Sequence, residues 1–444
     1  MHQYSRNADH IRNRGVPVPS NEAMNEHLSD LLSPLVYNQH AYYQSLGMRN
    51  RILTLPLMVA AVLTMLWAKV PSVIELTRLL NREDLLWAKA VTVTRQAVSQ
   101  RFLEFPFSVF ERVFKDLLPL LKERWVQRSR PVAPSITYSL KSFEHIWAAD
   151  GSVLEALFRK LDSLKDVPVG QLAGKICTVI ELGSQLPVEI WFTNDAKAHD
   201  CQFLEDVFNL ATQNGSKVLL VLDRGFYDFK WWRQLMDHSV AFITLGKSNL
   251  SYTLVKPLSQ SVEHTDEIIA VGTVASGPLQ LRLISMRKGK RTYRYLTSVL
   301  DPHILPPYVV ADLYARRWRI EDAFHLVKRL LGLGYLWTGS INGIKLQIWA
   351  TWIMYAVLFD LADAVADAVQ LPLERISAEM VWRGLYHFNT AYHKGTATDP
   401  VAYLSAPENR DLSVIKPLRK PLKIIDLSPF PGHRNKLLTS LKKA

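Results

Sequence analysis

Cysteine is scarce in this sequence, which contains only Cys177 and Cys201 among its 444 residues. Neither belongs to a CxxC pair or to a cluster of cysteine and histidine, which argues against a disulfide framework and against a cysteine-based metal site. We expect two reduced, buried thiols in a protein of a reducing compartment. A disulfide or a metal-binding role for these cysteines is the alternative.

Long uncharged apolar runs are missing as well. The first 20 residues are polar and lack the apolar core of a signal peptide. The longest apolar stretch, Leu55–Ala68, contains Pro56 and Thr64 and falls short of the ~20 residues that cross a bilayer. We therefore expect a buried helix at this stretch, no association with a membrane, and a cytoplasmic location.

Acidic residues are outnumbered, because 41 Asp and Glu against 53 Lys and Arg leave a net charge of +12. Basic surface displaces the counterions that condense on phosphates, so the surplus favours a polyanionic partner, although many basic proteins bind no nucleic acid. The 48% of hydrophobic residues is typical of a folded globular protein, and a length of 444 residues predicts two to four domains.

Three zones differ in residue pattern, and together they predict an α/β core between two helical regions. Residues 1–139 have helical periodicity. Residues 140–333 alternate strand-like and helical segments, with a β-rich insertion at about residues 249–300. Residues 334–444 predict apolar helices at Lys345–Val365 and Leu373–Tyr386, followed by a basic tail that is either solvated or in contact with DNA or a partner subunit.

The middle zone carries most of the predicted strands. These are His145–Ala149, Lys175–Leu182, Val188–Thr193, Val218–Leu222 and Val240–Leu245. The predicted helices of the same zone are Cys201–Gln213, Phe229–Asp237 and Pro307–Leu331.

A short polar helix in the first zone is a candidate for DNA contact. Thr94 is a suitable N-cap, and the helix after it exposes Arg95, Gln96 and Arg101. With the preceding segment Ser72–Leu80, it predicts a helix-turn-helix whose second helix enters the major groove. A polar helix packed in a bundle has the same pattern and is the alternative.

Two carboxylates follow apolar strands of the middle zone. Asp150 ends the segment IWAAD before Gly151, and Asp223 ends VLLVLD before Arg224 and Gly225. Unbroken apolar runs are typical of strands buried on both faces, and ligands gather where such strands end. Because an unpaired buried charge is costly, each acid needs a partner, and a metal ion would supply one.

A third acid lies on a predicted helix with a distinct face. At 100° per residue, Tyr314, Arg317, Glu321 and Lys328 fall within about 60° of one another, whereas Asp322 points elsewhere. Such a face is either an ordinary salt-bridged surface or part of a site. The two strand acids that precede it favour a site.

The order of these residues resembles a known signature. Asp150, Asp223 within DRGF, and then Tyr314-x2-Arg317-x3-Glu321-x6-Lys328 resemble the Tyr-Arg-Glu-Lys motif of DDE transposases of the IS-four family of insertion sequences. The resemblance implies a ribonuclease-H-like fold, a mixed sheet whose first three strands are antiparallel. Asp150 would then lie on the first strand, Asp223 just after the fourth, and Glu321 on a helix after the fifth.

The same resemblance implies a cut-and-paste enzyme that acts on double-stranded DNA. Because three converging carboxylates repel one another, we expect Asp150, Asp223 and Glu321 to bind two Mg²⁺ ions, with Mn²⁺ as a substitute. Asp150 would bind both ions. Arg317 and Lys328 would clamp phosphates, and Tyr314 would hydrogen-bond the DNA backbone. We expect a homodimer assembled on transposon ends, in the bacterial cytoplasm at the nucleoid.

The β insertion contains a second candidate contact with DNA. Residues 282–295, RLISMRKGKRTYRY, interleave basic residues with tyrosines. This pattern favours a DNA-binding surface over the alternative of a solvated hairpin tip. The predicted contacts at this tip are Arg287, Lys288, Lys290 and Arg291.

Relatives of the IS-four family use a tryptophan of the insertion to receive a flipped base, but residues 233–317 contain none. Tyr252, Tyr293, Tyr295 and Trp318 are the candidate substitutes, and the sequence does not decide between a DNA-hairpin route and another cleavage route. Near the third strand, His199 and Asp200 either support the site from behind or cap a helix.

Two other functions remain compatible with the sequence. A ribonuclease-H-like nuclease would cut nucleic acid without joining it, using the same acids. A DNA-binding regulator with an inactive core would bind without cutting. The presence of all three acids favours an enzyme.

Overall fold

The computed structural model describes residues 21–154, 174–195, 197–272, 277–333, 336–337, 340–416 and 425–431. The polar start of the chain, residues 1–20, and most of the basic tail lie outside the described residues. The chain divides into two compact units. The first combines Met1–Arg130 with Leu326–Lys416, and the second combines Pro131–His325 with Pro417–Ala444. The two helical zones of the sequence thus contribute to one unit.

The described helices and strands are as follows. The helices are α1 (Asn21–Asn38), α2 (His40–Ser45), α3 (Leu55–Trp67), α4 (Val73–Leu80), α5 (Arg95–Glu104), α6 (Phe107–Gln127), α7 (Pro134–Ser139), α8 (Leu204–Thr212), α9 (Phe229–Asp237), α10 (Pro307–Arg316), α11 (Trp318–His325), α12 (Ile341–Ala368), α13 (Ala378–His393) and α14 (Pro400–Ser405). The strands are β1 (His145–Val153), β2 (Lys175–Glu181), β3 (Pro187–Thr193), β4 (Val218–Leu222), β5 (Ala241–Leu245), β6 (Thr253–Gln260), β7 (His264–Val271), β8 (Leu279–Lys288) and β9 (Arg291–Thr297).

The long helix α12 is the core helix of the first unit and packs against α3, α6, α13 and α14. By length and composition α12 is able to cross a membrane, and 89% of its most apolar window is buried inside the structure. The predicted helix Lys345–Val365 lies within α12. The buried helix predicted at Leu55–Ala68 is confirmed as α3, which begins after the N-cap Thr54.

Buried acids on α12 are paired with arginines of the same unit. Asp360 accepts hydrogen bonds from Arg124 at 2.9 Å and from Arg128 at 2.7 Å. Asp363 accepts from Arg128 at 2.8 Å and also from Arg130. Because a buried carboxylate without a partner is strongly destabilising, these arginines allow an otherwise apolar helix to carry two acids inside the unit.

One mixed sheet organises the second unit. Its nine described strands follow the order β3-β2-β1-β4-β5-β9-β8-β7-β6. β1 pairs antiparallel with β2, and β2 pairs antiparallel with β3, whereas β1–β4 and β4–β5 are parallel. The predicted α/β class with a mixed sheet is confirmed at this level. The β insertion is not a separate sheet, because β9 pairs antiparallel with β5 and extends the same sheet.

The local sequence explains the centre of this sheet. All five residues of β4 are buried, as expected for a strand between two parallel neighbours that is covered on both faces. Helix α9 begins where the Asp228 side chain accepts a hydrogen bond from the Trp231 amide at 2.8 Å. Trp232 of α9 packs on Phe242 of β5 with ring centroids 5.0 Å apart. Both β4 and α9 have the predicted bounds.

Several predicted helices differ from the structure at their ends. The predicted helix Cys201–Gln213 begins as a 3-10 turn at Asp200–Phe203 and becomes α-helical only in α8. The predicted helix Leu373–Tyr386 is divided into a 3-10 turn, Leu373–Arg375, and α13. Ser377 accounts for the second start, because its hydroxyl accepts a hydrogen bond from the Met380 amide at 3.2 Å.

Candidate active site

The first two acids lie side by side where β4 ends. The parallel pairing of β1 and β4 ends at Ala149 opposite Leu222. Asp150 and Asp223 are the residues that directly follow this last pair. The prediction that Asp150 ends its strand is wrong, because β1 continues to Val153. The reason is that β2 goes on pairing with β1 after β4 has stopped. Asp150 therefore has a strand on one side and the turn after β4 on the other.

The predicted helix Pro307–Leu331 is not continuous. α10 ends at Arg316 and α11 begins at Trp318, and between them the Arg317 amide donates to the Tyr314 carbonyl at 3.2 Å. A π-helical segment, Leu326–Leu330, follows α11. The predicted single face therefore fails at Lys328, because the spacing of 100° per residue ends where the α-helix ends.

Lys328 lies in the first unit, whereas the three acids lie in the second. Its side chain is half-buried, and burial lowers the pKa of its ammonium group. The geometry within the second unit thus brings together three of the four residues of the signature: Tyr314, Arg317 and Glu321.

Arg317 joins the three acids. Its Nη1 atom donates to Asp150 Oδ2 at 2.9 Å, and its Nη2 atom donates to Glu321 Oε1 at 2.9 Å. Nη2 also lies 3.6 Å from Asp223 Oδ1. The side chains of Arg317 and Asp150 are only 5% and 14% exposed, so the contact between these two is largely shielded from water. The predicted residues Asp150, Asp223 and Glu321 therefore converge on one guanidinium.

Burial and neighbouring charges set the protonation of this cluster. Burial raises the pKa of Asp150 to about 6, an effect that Arg317 opposes and Asp223 reinforces. Burial also disfavours the charged form of Arg317, but Asp223 and Asp150 outweigh it, so the pKa of Arg317 is raised. The guanidinium thus stays charged and lowers the repulsion among the three carboxylates.

Two aromatic side chains flank the guanidinium. The Tyr314 ring is buried 5.8 Å from Arg317 Cζ, and burial raises the pKa of its hydroxyl to about 12. Trp318 has its ring centroid 5.5 Å from the same atom and is 52% exposed. Tyr314 therefore packs as a neutral phenol inside the unit, whereas Trp318 faces solvent beside the acids.

The acids have the chemistry of a divalent-cation site. Among the described residues, no three acidic, histidine or cysteine side chains are gathered closely enough to hold a metal ion as they stand, and Arg317 lies among the three acids. The donors are nevertheless hard carboxylate oxygens, which Mg²⁺ and Mn²⁺ prefer. The side chains of Asp223 and Glu321 are 38% and 37% exposed, so an ion reaches them from solvent. The residues fit such a cation in donor type and access.

The sequence left two roles open for His199 and Asp200, support of the site from behind or capping of a helix, and the structure places Asp200 beside the glycines that follow the two strand acids. The residue before it, His199, makes no side-chain capping hydrogen bond, so the capping role predicted for this pair is wrong. Asp200 Oδ1 lies instead 2.7 Å from the ammonium of the buried Lys175. A Cβ on Gly151 or Gly225 would collide with the Asp200 carboxylate. The glycine that closely follows each strand acid was the only sequence signal of this close approach.

The cysteines only partly match their prediction. Cys177 is buried and Cys201 is exposed, and both thiols are free. The prediction of a second buried thiol is wrong because Cys201 lies at the surface, where it donates to the Gly225 carbonyl at 3.2 Å.

The basic residues predicted at the hairpin tip are exposed. Arg287, Lys288, Lys290 and Arg291 surround the turn between β8 and β9, where Gly289 adopts a left-handed φ of 64°. Arg282 of the same segment has a different role. It is fully buried, pairs with Asp266 at 2.6 Å and donates to the Leu305 carbonyl at 2.6 Å. Within residues 282–295, the exposed basic side chains therefore lie at the tip.

The predicted helix-turn-helix is not formed. Residues 81–94 separate α4 from α5, far more than the three or four residues of that motif's turn. Arg95 and Gln96 are exposed at the start of α5. Arg101 instead donates to the Arg49 carbonyl at 2.9 Å and also to Tyr43. Its guanidinium therefore joins α5 to the segment around α2 within the first unit.

The aromatic residues proposed to receive a flipped base differ in exposure. Tyr295 is 6% exposed and packs against Tyr314 at 5.7 Å, so it is closed to a base. Tyr252 and Trp318 are exposed, and Tyr293 is half-buried with the Lys288 ammonium 5.9 Å from its ring centroid. Among the four candidates, only Tyr295 is excluded by burial.

The part of the sequence that carries most of this site is similar to known proteins. Residues 170–357 match the family model described as the transposase DDE domain, a span that contains Asp223, Arg317 and Glu321 and begins after Asp150. These residues match a transposase domain. The chain is 26% identical over 251 residues to the putative transposase y4zB of Sinorhizobium fredii, covering 52% of this chain and 67% of the relative.

A second relative is the probable transposase for insertion sequence element IS5377 of Geobacillus stearothermophilus. The chain is 23% identical to it over 199 residues, which covers 43% of this chain and 50% of the relative. Together the matches support a DDE transposase. At these identities they do not specify the IS-four family.

Proposed function

We propose that this protein is a DNA transposase of the IS-four type, which binds the ends of its element and both cuts and joins DNA strands. The observation that carries the proposal is the convergence of Asp150, Asp223 and Glu321 on one guanidinium at the end of β4. The similarity of residues 170–357 to a transposase domain supports it. The antiparallel strands β1–β3 agree with the ribonuclease-H-like core that we propose for the second unit.

Asp150, Asp223 and Glu321 would hold two divalent cations, Mg²⁺ or Mn²⁺. Bound there, the cations would activate the attacking oxygen and stabilise the leaving oxygen of an in-line displacement at phosphorus. The protein supplies no covalent nucleophile in this proposal. Its own contribution is to gather the carboxylates and to orient the DNA backbone beside them.

Arg317 has two uses in this proposal. In the structure it is the counter-ion of the three acids. Where the carboxylates held divalent cations, the Arg317 guanidinium would instead donate two parallel hydrogen bonds to a DNA phosphate. The neutral Tyr314 packs against it and limits where the freed side chain goes. Lys328 remains a proposed phosphate contact by resemblance.

The wider DNA contact would involve the exposed basic residues. The hairpin tip of Arg287, Lys288, Lys290 and Arg291 presents four positive charges to solvent. Arg95 and Gln96 at the start of α5 are a second, smaller candidate. Two ends must be cut and joined, so we propose a homodimer assembled on DNA at the bacterial nucleoid.

Cleavage of a supercoiled plasmid that carries the element's own ends tests the proposal. With Mg²⁺, the wild type is expected to release the element, whereas Glu321→Gln, which keeps the side-chain shape and removes a ligand charge, is expected to lose at least about 100-fold in rate. Binding of end DNA should persist. Asp322→Asn is the matched control, because Asp322 is exposed on the same helix and, among the described residues, forms an ion pair with Arg319 alone.

The outcomes separate the candidate functions. Equal cleavage by the wild type and by Glu321→Gln would show that Glu321 is not a ligand. Cleavage without joining of a pre-cut end to a target plasmid would favour a nuclease. Binding of the ends without cleavage by the wild type would favour a regulator with an inactive core.

A further inference from the structure

Both strand acids are closely followed by a glycine, and both glycines face the same carboxylate. A Cβ built on Gly151 would lie 2.0 Å from Asp200 Oδ1, and one built on Gly225 would lie 2.4 Å from Asp200 Oδ2. Real Cβ atoms essentially never come within 3.0 Å of another heavy atom in this way. The Asp200 carboxylate therefore fills a slot that exists only because both positions lack a side chain.

A buried lysine fixes this carboxylate. Lys175, the first residue of β2, lies with its ammonium 2.7 Å from Asp200 Oδ1 and donates to the Ala198 carbonyl at 2.8 Å. The lysine side chain is 9% exposed and that of Asp200 is 20% exposed. A pair so little exposed is held firmly, because removing either partner leaves an uncompensated charge. Asp200 is thus anchored to β2, the strand that continues beside Asp150.

The turn after β4 needs such an anchor. β4 ends at Leu222, so Asp223 and Gly225 have no strand partner to hold them. Two neighbouring residues hold Gly225 instead: the Asp200 carboxylate occupies the space of a side chain at this position, and the Cys201 thiol donates to the Gly225 carbonyl at 3.2 Å. The segment that begins at Asp200 therefore connects the backbone of β1 to the turn that carries Asp223.

We propose that Asp200 is a positioning residue, which fixes the separation of Asp150 and Asp223 for cation binding by holding Gly151 and Gly225 on either side of its carboxylate. This inference rests on the proposed function. Asp200 is not a ligand in it, because its Oδ1 atom is paired with the Lys175 ammonium. A change at Asp200 would act on the cation only through the backbone of the two strand acids.

Affinity for Mn²⁺, measured by the loss of the electron paramagnetic resonance signal of the free ion, tests the inference without an activity assay. Gly225→Ala adds a methyl group whose three nearest atoms all belong to Asp200. Asp200→Ala removes the carboxylate. Each single variant is expected to weaken Mn²⁺ binding about 10- to 100-fold, the usual effect of removing a group that orients a ligand.

The double variant Asp200→Ala/Gly225→Ala is expected to bind Mn²⁺ no more weakly than Asp200→Ala alone, because the clash has disappeared with the carboxylate. Gly246→Ala is the matched control. Gly246 follows β5, the next parallel strand, and its Cβ would lie 3.5 Å from the nearest atom. This variant should bind like the wild type.

Asp200→Asn distinguishes a positioning residue from a ligand, because it keeps the shape that fills the slot. We expect its Mn²⁺ affinity to lie closer to that of the wild type than to that of Asp200→Ala. An affinity as low as that of Asp150→Asn would make Asp200 a ligand and overturn the inference. If Asp200→Ala does not fold, Gly225→Ala against Gly246→Ala decides the same question.

Mn²⁺ affinity and plasmid cleavage together separate the positioning role of Asp200 from the proposed function. Mn²⁺ affinities of Gly225→Ala and Asp200→Ala within about twofold of the wild type would overturn the positioning role alone. Absence of Mn²⁺ binding by the wild type, together with absence of plasmid cleavage, would overturn both.

Discussion

Arg317 donates to the Oδ2 atom of Asp150 at 2.9 Å, and the two side chains are only 5% and 14% exposed. A guanidinium so placed lowers the repulsion that Asp150 experiences from the neighbouring acids. The pair joins a residue of β1 to the residue between α10 and α11, which are 167 positions apart in the sequence. It therefore fixes the helix that carries Glu321 against the end of the sheet.

Removing this guanidinium should make stability depend on metal. Arg317→Ala is expected to lower the free energy of unfolding in EDTA by about 1–3 kcal/mol, less than the about 3–5 kcal/mol of a fully buried pair because Asp223 and Glu321 are more than a third exposed. Mn²⁺ should restore more stability to this variant than to the wild type, as chemical denaturation in EDTA and in Mn²⁺ would show.

Arg319→Ala is the control for that measurement, because Arg319 lies on α11 and pairs with the exposed Asp322. It should change stability little and should not respond to Mn²⁺ differently from the wild type. An Arg317→Ala protein as stable as the wild type in EDTA would show that the acids do not need the guanidinium.

The hairpin tip should contribute salt-dependent DNA affinity. Each phosphate contact removed is expected to lower the slope of log affinity against log salt by about 0.9. Replacing Arg287, Lys288, Lys290 and Arg291 together by Gln should therefore lower the slope by about 2–4, measured by fluorescence anisotropy with end DNA.

Thermal unfolding of this quadruple variant should match that of the wild type, because all four side chains are exposed. Lys256→Gln, an exposed position on β6 of the same insertion, is the comparison for a single charge loss such as Lys290→Gln. An unchanged salt slope in the quadruple variant would mean that the tip is only a solvated turn.

Arg282 should matter for stability. Arg282 and Asp266 are both 0% exposed and form two hydrogen bonds, at 2.7 and 2.6 Å. Arg282→Met leaves Asp266 buried without its partner and is expected to cost about 3–5 kcal/mol of unfolding free energy in denaturant titrations. Arg282→Met/Asp266→Leu should recover much of that loss. Equal losses in the single and the double variant would contradict this account of the pair.

His27 should make the first unit less stable in mild acid. Burial lowers its pKa below the ordinary value of 6.5, although Asp360, Asp399 and Asp30 partly offset this and Arg124 adds to it. The unfolded chain therefore takes up the proton first, so the contribution of neutral His27 is present above pH ~6.5 and is lost as pH falls below it.

The measurement is the midpoint of thermal unfolding of the wild type and of His27→Gln between pH 8 and pH 5. The difference between the two proteins isolates the histidine from the carboxylates, which titrate in both. A constant difference across this range would show that the pKa of His27 is not lowered by folding.

Local sequence was enough to predict some elements of the fold. α9 follows from the N-cap Asp228 and an amphipathic segment, and β4 follows from five consecutive apolar residues. The break at Arg317 was not predictable in this way, because nothing in the periodicity of residues 311–333 interrupts a helix. Its side chain is held by acids from β1 and from the turn after β4, which are long-range contacts.

The sequence by itself pointed to the side chains that we propose carry the chemistry. The order Asp150, Asp223, Glu321 and the identity of Arg317 were readable because strand burial and helical spacing repeat over a few residues. Tertiary structure alone decided that Arg317 is their common counter-ion and that Asp200 reaches both glycines. Those contacts depend on which strands pair, and in which register. Strand pairing is set by contacts between residues distant in sequence, which local periodicity does not encode.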